Sequence, residues 1–221
     1  MFIAASQIAA QQYLLRLVPR GYHWWTSGVC SRTDLDSRSL KYDEHYGTSL
    51  NRSQCSYRKS KGLANAKLVA VELVSGEYLW FLLATDGLGP IRDNKKLLDA
   101  RTNDGRIKWG NDYVLYEADR PKEHGGGKHW SWFFQPQTQK EIDHYIGVLI
   151  KKEPENMAFF IEQLCRRPMH SGIRSFVGRT IRRATKNWAA VHPARPWPGR
   201  DPLKPLPILN AFRSSKSSDD N

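Results

Sequence analysis

Apolar residues recur along this chain in three regimes, helical, then strand-like, then helical again. Between residues 3 and 18, Ile8, Leu14, Leu15 and Val18 fall at helical spacings until Pro19-Arg20-Gly21 breaks the pattern. The segment Tyr22 to Gly28, with two adjacent tryptophans, reads as running into a turn. Ser31 or Thr33 is placed to cap a second helix reaching about Tyr46, with Gly47 as its stop. A basic stretch, Tyr57-Arg58-Lys59-Ser60-Lys61, then leads into the middle of the chain.

The middle reads as β. Leu68 to Val74 and Glu77 to Ala84 are strand-like, and Ser75-Gly76 between them is a hairpin signal. Gly87-Leu88-Gly89-Pro90 precedes an expected short helix from Arg92 to about Ala100. Further strands are expected at Ile107 to Trp109, Asp112 to Glu117 and His129 to Gln135. In the last of these the two-residue period puts Trp130, Trp132 and Phe134 on one face.

The final third is helical. Thr138-x-x-Glu141 has the form of a capping box and precedes Ile142, Tyr145, Ile146, Leu149 and Ile150. Pro154 suits a helix start, and Met157, Phe160, Ile161, Leu164 and Cys165 repeat the spacing. After Pro168, Ser171 is placed to cap a third helix through about Ala190, carrying Ile173, Phe176, Val177, Ile181, Ala184 and Trp188. Six prolines between Pro193 and Pro207 predict an extended segment, and Arg213 to Asn221 an unstructured tail. The fold class expected is α+β: a mostly antiparallel sheet of four or five strands, with N-terminal helices and a C-terminal three-helix layer. Residues 1–192 are expected as a single domain (sheet about 68–135, helices about 138–190), followed by a proline-rich extension and tail over 193–221.

Charge changes the picture in the last quarter. The chain carries +12 overall, yet residues 163–221 hold twelve basic and three acidic side chains, so +9 of the excess sits there. Between Gln163 and Arg200 there are nine Lys or Arg and no Asp or Glu. A segregated excess gives a surface a sign. On the third helix, about 100° per residue places Arg179, Arg182 and Lys186 opposite the apolar arc, stacked at i, i+3, i+7. Arg183 falls at the edge and Arg174 on the other flank, while Arg166 and Arg167 close the preceding helix. Like charges so spaced repel by some tenths of a kcal/mol per pair, about 0.2–0.5, and a bound polyanion relieves that repulsion. These seven cations are the expected nucleic-acid-binding set; the alternative is a solvated face, which more often mixes signs.

Other motifs carry less. Gly125-Gly126-Gly127-Lys128 lacks the Ser or Thr and the following helix of a phosphate loop, and reads as a hairpin loop. His124 and His129 beside Asp119 or Glu123 are weighed as metal ligands, but the expectation is no metal and no cofactor. Trp80, Trp109, Trp130 and Trp132 suit either sheet packing or stacking on unpaired bases. Glu72, Asp86, Glu117 and Asp119 show no spacing that marks a catalytic pair, so enzymatic activity stays open with the balance against it. Three dispersed cysteines without a C-x-x-C pair fit a reducing compartment. No uncharged apolar run approaches the length of a membrane span, and Gln7, Gln11 and Gln12 interrupt the N-terminal segment. The expectation is a cytoplasmic protein without membrane insertion.

Several strings together carry a resemblance: YHWWTSG (Tyr22 to Gly28), YRKSKGLANAKL (Tyr57 to Leu68), LLATDGLGPIRD (Leu82 to Asp93), GGGKHWSWFF (Gly125 to Phe134) and RRPMHSGIR (Arg166 to Arg174). They resemble accessory proteins of conjugative plasmids and integrative conjugative elements, nearest the FiwA family of fertility-inhibition proteins. The resemblance covers most of residues 1–213. It implies a protein that blocks conjugative transfer of a co-resident plasmid by engaging transfer DNA or the conjugation coupling protein. Gly89-Pro90-Ile91-Arg92 also resembles the short phosphate-handling turn of ParB/sulfiredoxin-type domains. That fold occurs in one fertility-inhibition factor with nuclease and nucleotidase activity, and it implies phosphate binding at Gly89 and Arg92. Two alternatives stay beside the inhibitor reading: a nuclease or nucleotidase of that type, and a plasmid replication, partition or regulatory DNA-binding protein. Oligomeric state is left open.

Overall fold

The computed structural model describes residues 1–94, 96–120, 122 and 125–200. The metal candidates Glu123 and His124, the last three prolines of the extension and the C-terminal tail lie outside the described residues. The chain is α+β, and its described residues form two compact units. The first comprises Met1–Ile107 and Tyr116–Trp130, the second 108–115 and 131–200.

The first unit is built on a five-stranded sheet in the order β1-β3-β4-β2-β5. Its strands are β1 (Phe2–Ala4), β2 (Trp24–Cys30), β3 (Ala66–Glu72), β4 (Tyr78–Ala84) and β5 (Leu98–Asp99). β1 runs parallel to β3, and the other pairs are antiparallel. The central hairpin β3–β4 forms within two residues of its predicted limits. It reads as continuous apolar sequence because both faces are covered. On one face Leu68, Ala70, Trp80 and Leu82 join Leu35, Tyr42 and Tyr46 of helix α2 (Arg32–Tyr46) in one buried cluster. The alternate residues Val69, Val71, Phe81 and Leu83 are also buried, and helix α1 (Gln7–Leu17) packs beside β3.

Three predicted segments take other forms, the first being the head of the helical pattern expected over 3–18: Phe2–Ala4 form β1 beside β3, and α1 begins only at Gln7. The Trp24–Cys30 stretch is a full strand and not a turn. The register sets Gly28 and Ala70 on either side of Trp80, and a Cβ on Gly28 would come within 2.8 Å of the Trp80 ring. The glycine makes room for an indole on the neighbouring strand. The helix expected over 92–100 is shorter and earlier. α4 spans Pro90–Asn94, and β5 follows, because Leu98 and Asp99 pair with Trp25 and Trp24. A further helix, α3 (Arg52–Ser60), is present where no apolar periodicity announced one.

The second unit holds helices α5 (Pro136–Lys152), α6 (Met157–Cys165) and α7 (Ser171–Val191). A three-stranded sheet, ordered β6 (Ile107–Trp109), β7 (Tyr113–Asp119) and β8 (Lys128–Phe134), has residues in each unit. Most of the predicted helical periodicity is the observed core: Ile146, Leu149, Ile150, Met157, Ile161, Leu164, Ile173, Phe176, Val177, Ile181, Ala184 and Trp188 are buried, whereas Ile142, Phe160 and Cys165 are half-buried and Tyr145 is exposed. The capping box is not used. α5 starts two residues before Thr138, with Pro136 in its first turn. Thr138 donates instead to the Asn111 carbonyl (3.1 Å), and Glu141 accepts from Gln137 (2.8 Å). Among the described residues no helix is long and apolar enough to cross a membrane.

Candidate nucleic-acid interface

α7 is fixed at both ends before any ligand is considered. Ser171, the expected cap, lies inside the helix, and the capping oxygen comes from β8. Ser131 Oγ accepts from the Gly172 N–H (2.9 Å) and from the Ser171 hydroxyl (2.7 Å). That satisfies an N–H which a helix start otherwise leaves unpaired. Gly172 sits so close to β8 that a Cβ would meet the Phe133 ring at 2.4 Å and the Trp132 carbonyl at 2.6 Å. At the other end Trp188 Nε1 donates to the Arg195 carbonyl (3.1 Å), and His192 Nε2 donates to the Ile150 carbonyl on α5 (2.7 Å).

The two glycines of α7 therefore make opposite forecasts. Gly172→Ala should destabilise by about 1–3 kcal/mol, because the methyl has to displace ring and backbone. Gly178→Ala, whose added Cβ meets nothing within 4 Å, should stabilise by about 0.5–1 kcal/mol through helix propensity. Urea unfolding of both variants reads the difference; the same sign for the two would refute this account of the helix start.

The seven predicted cations fall into two groups. Arg166 pairs with Glu162 one turn back on α6. Arg167 bonds Asp112 (3.2 Å) and the Tyr113 hydroxyl (3.3 Å); burial pushes the Tyr113 phenol up, and this guanidinium partly opposes it. Arg183 pairs with Asp143 of α5. These three already have carboxylate partners. Arg174, Arg179, Arg182 and Lys186 have none among the described residues. Arg179, Arg182 and Lys186 are exposed, and Arg179 makes one hydrogen bond, to the Ser175 hydroxyl (2.6 Å). Arg179 to Lys186 covers about 10 Å of helix at 1.5 Å per residue. That equals about three base-pair rises of 3.4 Å along the axis of a duplex. His170, buried at the base of the helix, is held at a pKa of about 4 by that burial. It is neutral near pH 7 and adds no charge to the ridge.

The Gly89–Arg92 turn opens α4. Gly89 O accepts from the Arg92 and Asp93 N–H groups (2.8 and 3.3 Å), and the Arg92 guanidinium lies 3.4 Å from the centre of the Trp24 ring. Trp24 Nε1 donates to Asp86 (2.6 Å), and Arg101 bonds both Asp86 (3.1 Å) and Asp99 (2.9 Å). The Trp24 bond, then Arg101, holds Asp86 below the usual carboxylate range, and Arg101 does the same for Asp99. His23 beside them is lowered by burial, then by Arg101.

Three of the four sheet tryptophans are packing residues. Trp80, Trp109 and Trp132 are buried, while Trp130 is half-buried and stacks with His23 at 5.8 Å. Among the described residues no three His, Cys, Asp or Glu side chains gather as a metal site. The Trp24–Asp86–Arg101 network was not foreseen, since its members lie far apart in sequence. α3 carried a readable signal that apolar periodicity passes over: Asn51-x-x-Gln54 is a reciprocal capping box (3.0 and 2.9 Å). No family model matches the chain, and neither the curated proteins nor the solved structures include a match.

Proposed function

We propose that this protein is a nucleic-acid-binding inhibitor of conjugative transfer. In this reading the α7 ridge engages the phosphate backbone of transfer DNA in the cytoplasm of a donor cell. The observation that carries the binding part is the trio Arg179, Arg182 and Lys186: aligned, exposed and without a carboxylate partner among the described residues. The conjugative setting rests on the resemblance of the YHWWTSG, LLATDGLGPIRD and RRPMHSGIR strings. Phosphate contacts of this kind are independent of base sequence, which suits a factor that acts on whatever strand is being moved. The coupling protein that feeds DNA to the channel is the other target of this class.

The test is a salt titration of DNA binding by fluorescence anisotropy, comparing wild type with R179Q/R182Q/K186Q. Each lost phosphate contact should flatten the slope of log K against log salt by about 0.7–0.9, so the triple variant should lose roughly 2–3. An unchanged slope would reduce the ridge to a solvated face. In a donor strain, wild-type protein should lower transfer of a rival plasmid and the triple variant should restore it. Binding that is lost while inhibition persists would point to the coupling protein and away from DNA.

A further inference from the structure

Helix α3 of the first unit is held in an unusual way. None of its residues is fully buried, and only Cys55 and Arg58 are half-buried. Isolated helices this short are marginal in water, and globular proteins normally stabilise them by burying an apolar face. α3 is pinned by polar bonds instead. Its capping box closes the start, Arg58 donates twice to the Ala64 carbonyl (3.3 and 2.8 Å), and Asn65 Nδ2 donates to the Cys55 carbonyl (2.9 Å). The outer arc, at about 100° per residue, carries Ser53, Ser56, Tyr57 and Ser60, with Arg52 and Lys61 on its flanks.

The content of that arc is specific. Tyr57 is 65% exposed, and Lys61 Nζ lies 5.7 Å from its ring centre. From His45 to Val71 the chain has five Lys or Arg and no Asp or Glu. Arg58 is committed to Ala64, and Lys67 Nζ to the Thr48 and Leu50 carbonyls (3.3 and 2.7 Å). Arg52, Lys59 and Lys61 are exposed and make no ion pair among the described residues. An exposed aromatic ring with cations beside it and small hydroxyls along the same face is what a strand of unpaired nucleotides needs: a stacking platform, charge for phosphates and room for the backbone.

We infer that α3 is a contact surface for single-stranded nucleic acid, with Tyr57 stacking on a base and Arg52 and Lys61, on the flanks of the same arc, meeting the phosphates. A duplex cannot use the ring in this way, because its bases are stacked on one another. The surface stands on its own residues and does not depend on the α7 ridge.

Anisotropy with a labelled oligothymidylate of about twenty nucleotides, its duplex, and an abasic strand of equal length tests it. Tyr57→Ala should weaken oligothymidylate binding roughly 5- to 100-fold, and Tyr57→Phe should stay near wild type. Neither should change the duplex or the abasic strand by more than about twofold, since only the base face is lost. R52Q/K61Q should flatten the single-strand salt slope by about 1.4. Unchanged oligothymidylate binding by Tyr57→Ala, or equal losses on all three ligands, would overturn the assignment. So would an acidic peptide that displaces the oligothymidylate in wild type as well as the unlabelled strand does. Repeating Tyr57→Ala in the R179Q/R182Q/K186Q background keeps the two sites apart. A persisting single-strand loss there supports α3 whether or not the ridge binds, and its disappearance refutes the independent site.

Discussion

Trp132→Ala is expected to remove about 3–5 kcal/mol of unfolding free energy, a large fraction of the 5–15 kcal/mol typical of a whole domain. Trp132 is completely buried. Its ring meets Trp109 edge-on at 6.3 Å and His170 at 6.4 Å, and its carbonyl lies against Gly172. Truncation leaves a cavity beneath the first turn of α7, where the helix start has little freedom to collapse inward. Urea unfolding gives the stability. DNA affinity measured in parallel should fall only in proportion to the folded fraction. An affinity loss without a stability loss would mean that the indole serves the ligand and not the core.

The second large effect is a loss of stability in mild acid that originates at His170. Its folded-state pKa is about 4, against an ordinary value of 6.5. The unfolded chain therefore binds the proton first, and the stabilisation is complete above about pH 6.5. It declines as the pH falls towards 4 and is exhausted below that. The full difference is on the order of 3 kcal/mol, with about 2 kcal/mol of it lost between about pH 7 and pH 5. His23 is lowered as well, first by burial, and acts with the same sign. The carboxylates Asp86 and Asp99, and Asp43, which hydrogen bonds from the Ser49 hydroxyl and N–H hold below the usual range, lose their contribution at lower pH, below their ordinary range. Urea midpoints at about pH 7 and pH 5 for wild type and His170→Gln should show a flatter profile in the variant. A profile as steep as wild type would exclude His170 as the source.

Legibility in the sequence followed the kind of force involved. The helical third was readable because Ile146, Leu149, Ile150, Ile173, Val177 and Ile181 pack through one face, and one-sided burial imprints a period on the sequence. The β3–β4 hairpin was readable from its apolar runs and the Ser75-Gly76 turn. β2 was not, because Trp24-Trp25-Thr26-Ser27-Gly28 holds turn-forming residues whose strand conformation comes from pairing with β4 and from the Trp80 ring over Gly28. α3 escaped because hydrogen bonds and not apolar burial hold it. The ridge on α7 was legible from spacing and charge alone. The separation of paired from unpaired cations was not: Arg183 finds Asp143 forty residues away and Arg167 finds Asp112 at fifty-five, and no local pattern records such meetings.

The clamping of α7 has a consequence for how a ligand is received. With Ser131 seating one end and Trp188 and His192 tying down the other, the backbone positions that carry the three outward cations stand at fixed intervals. Such a helix behaves as a ruler laid out in advance. If a strand binds there as proposed, the entropy of ordering falls on that strand and on the Arg and Lys side chains, and little of it on the protein backbone.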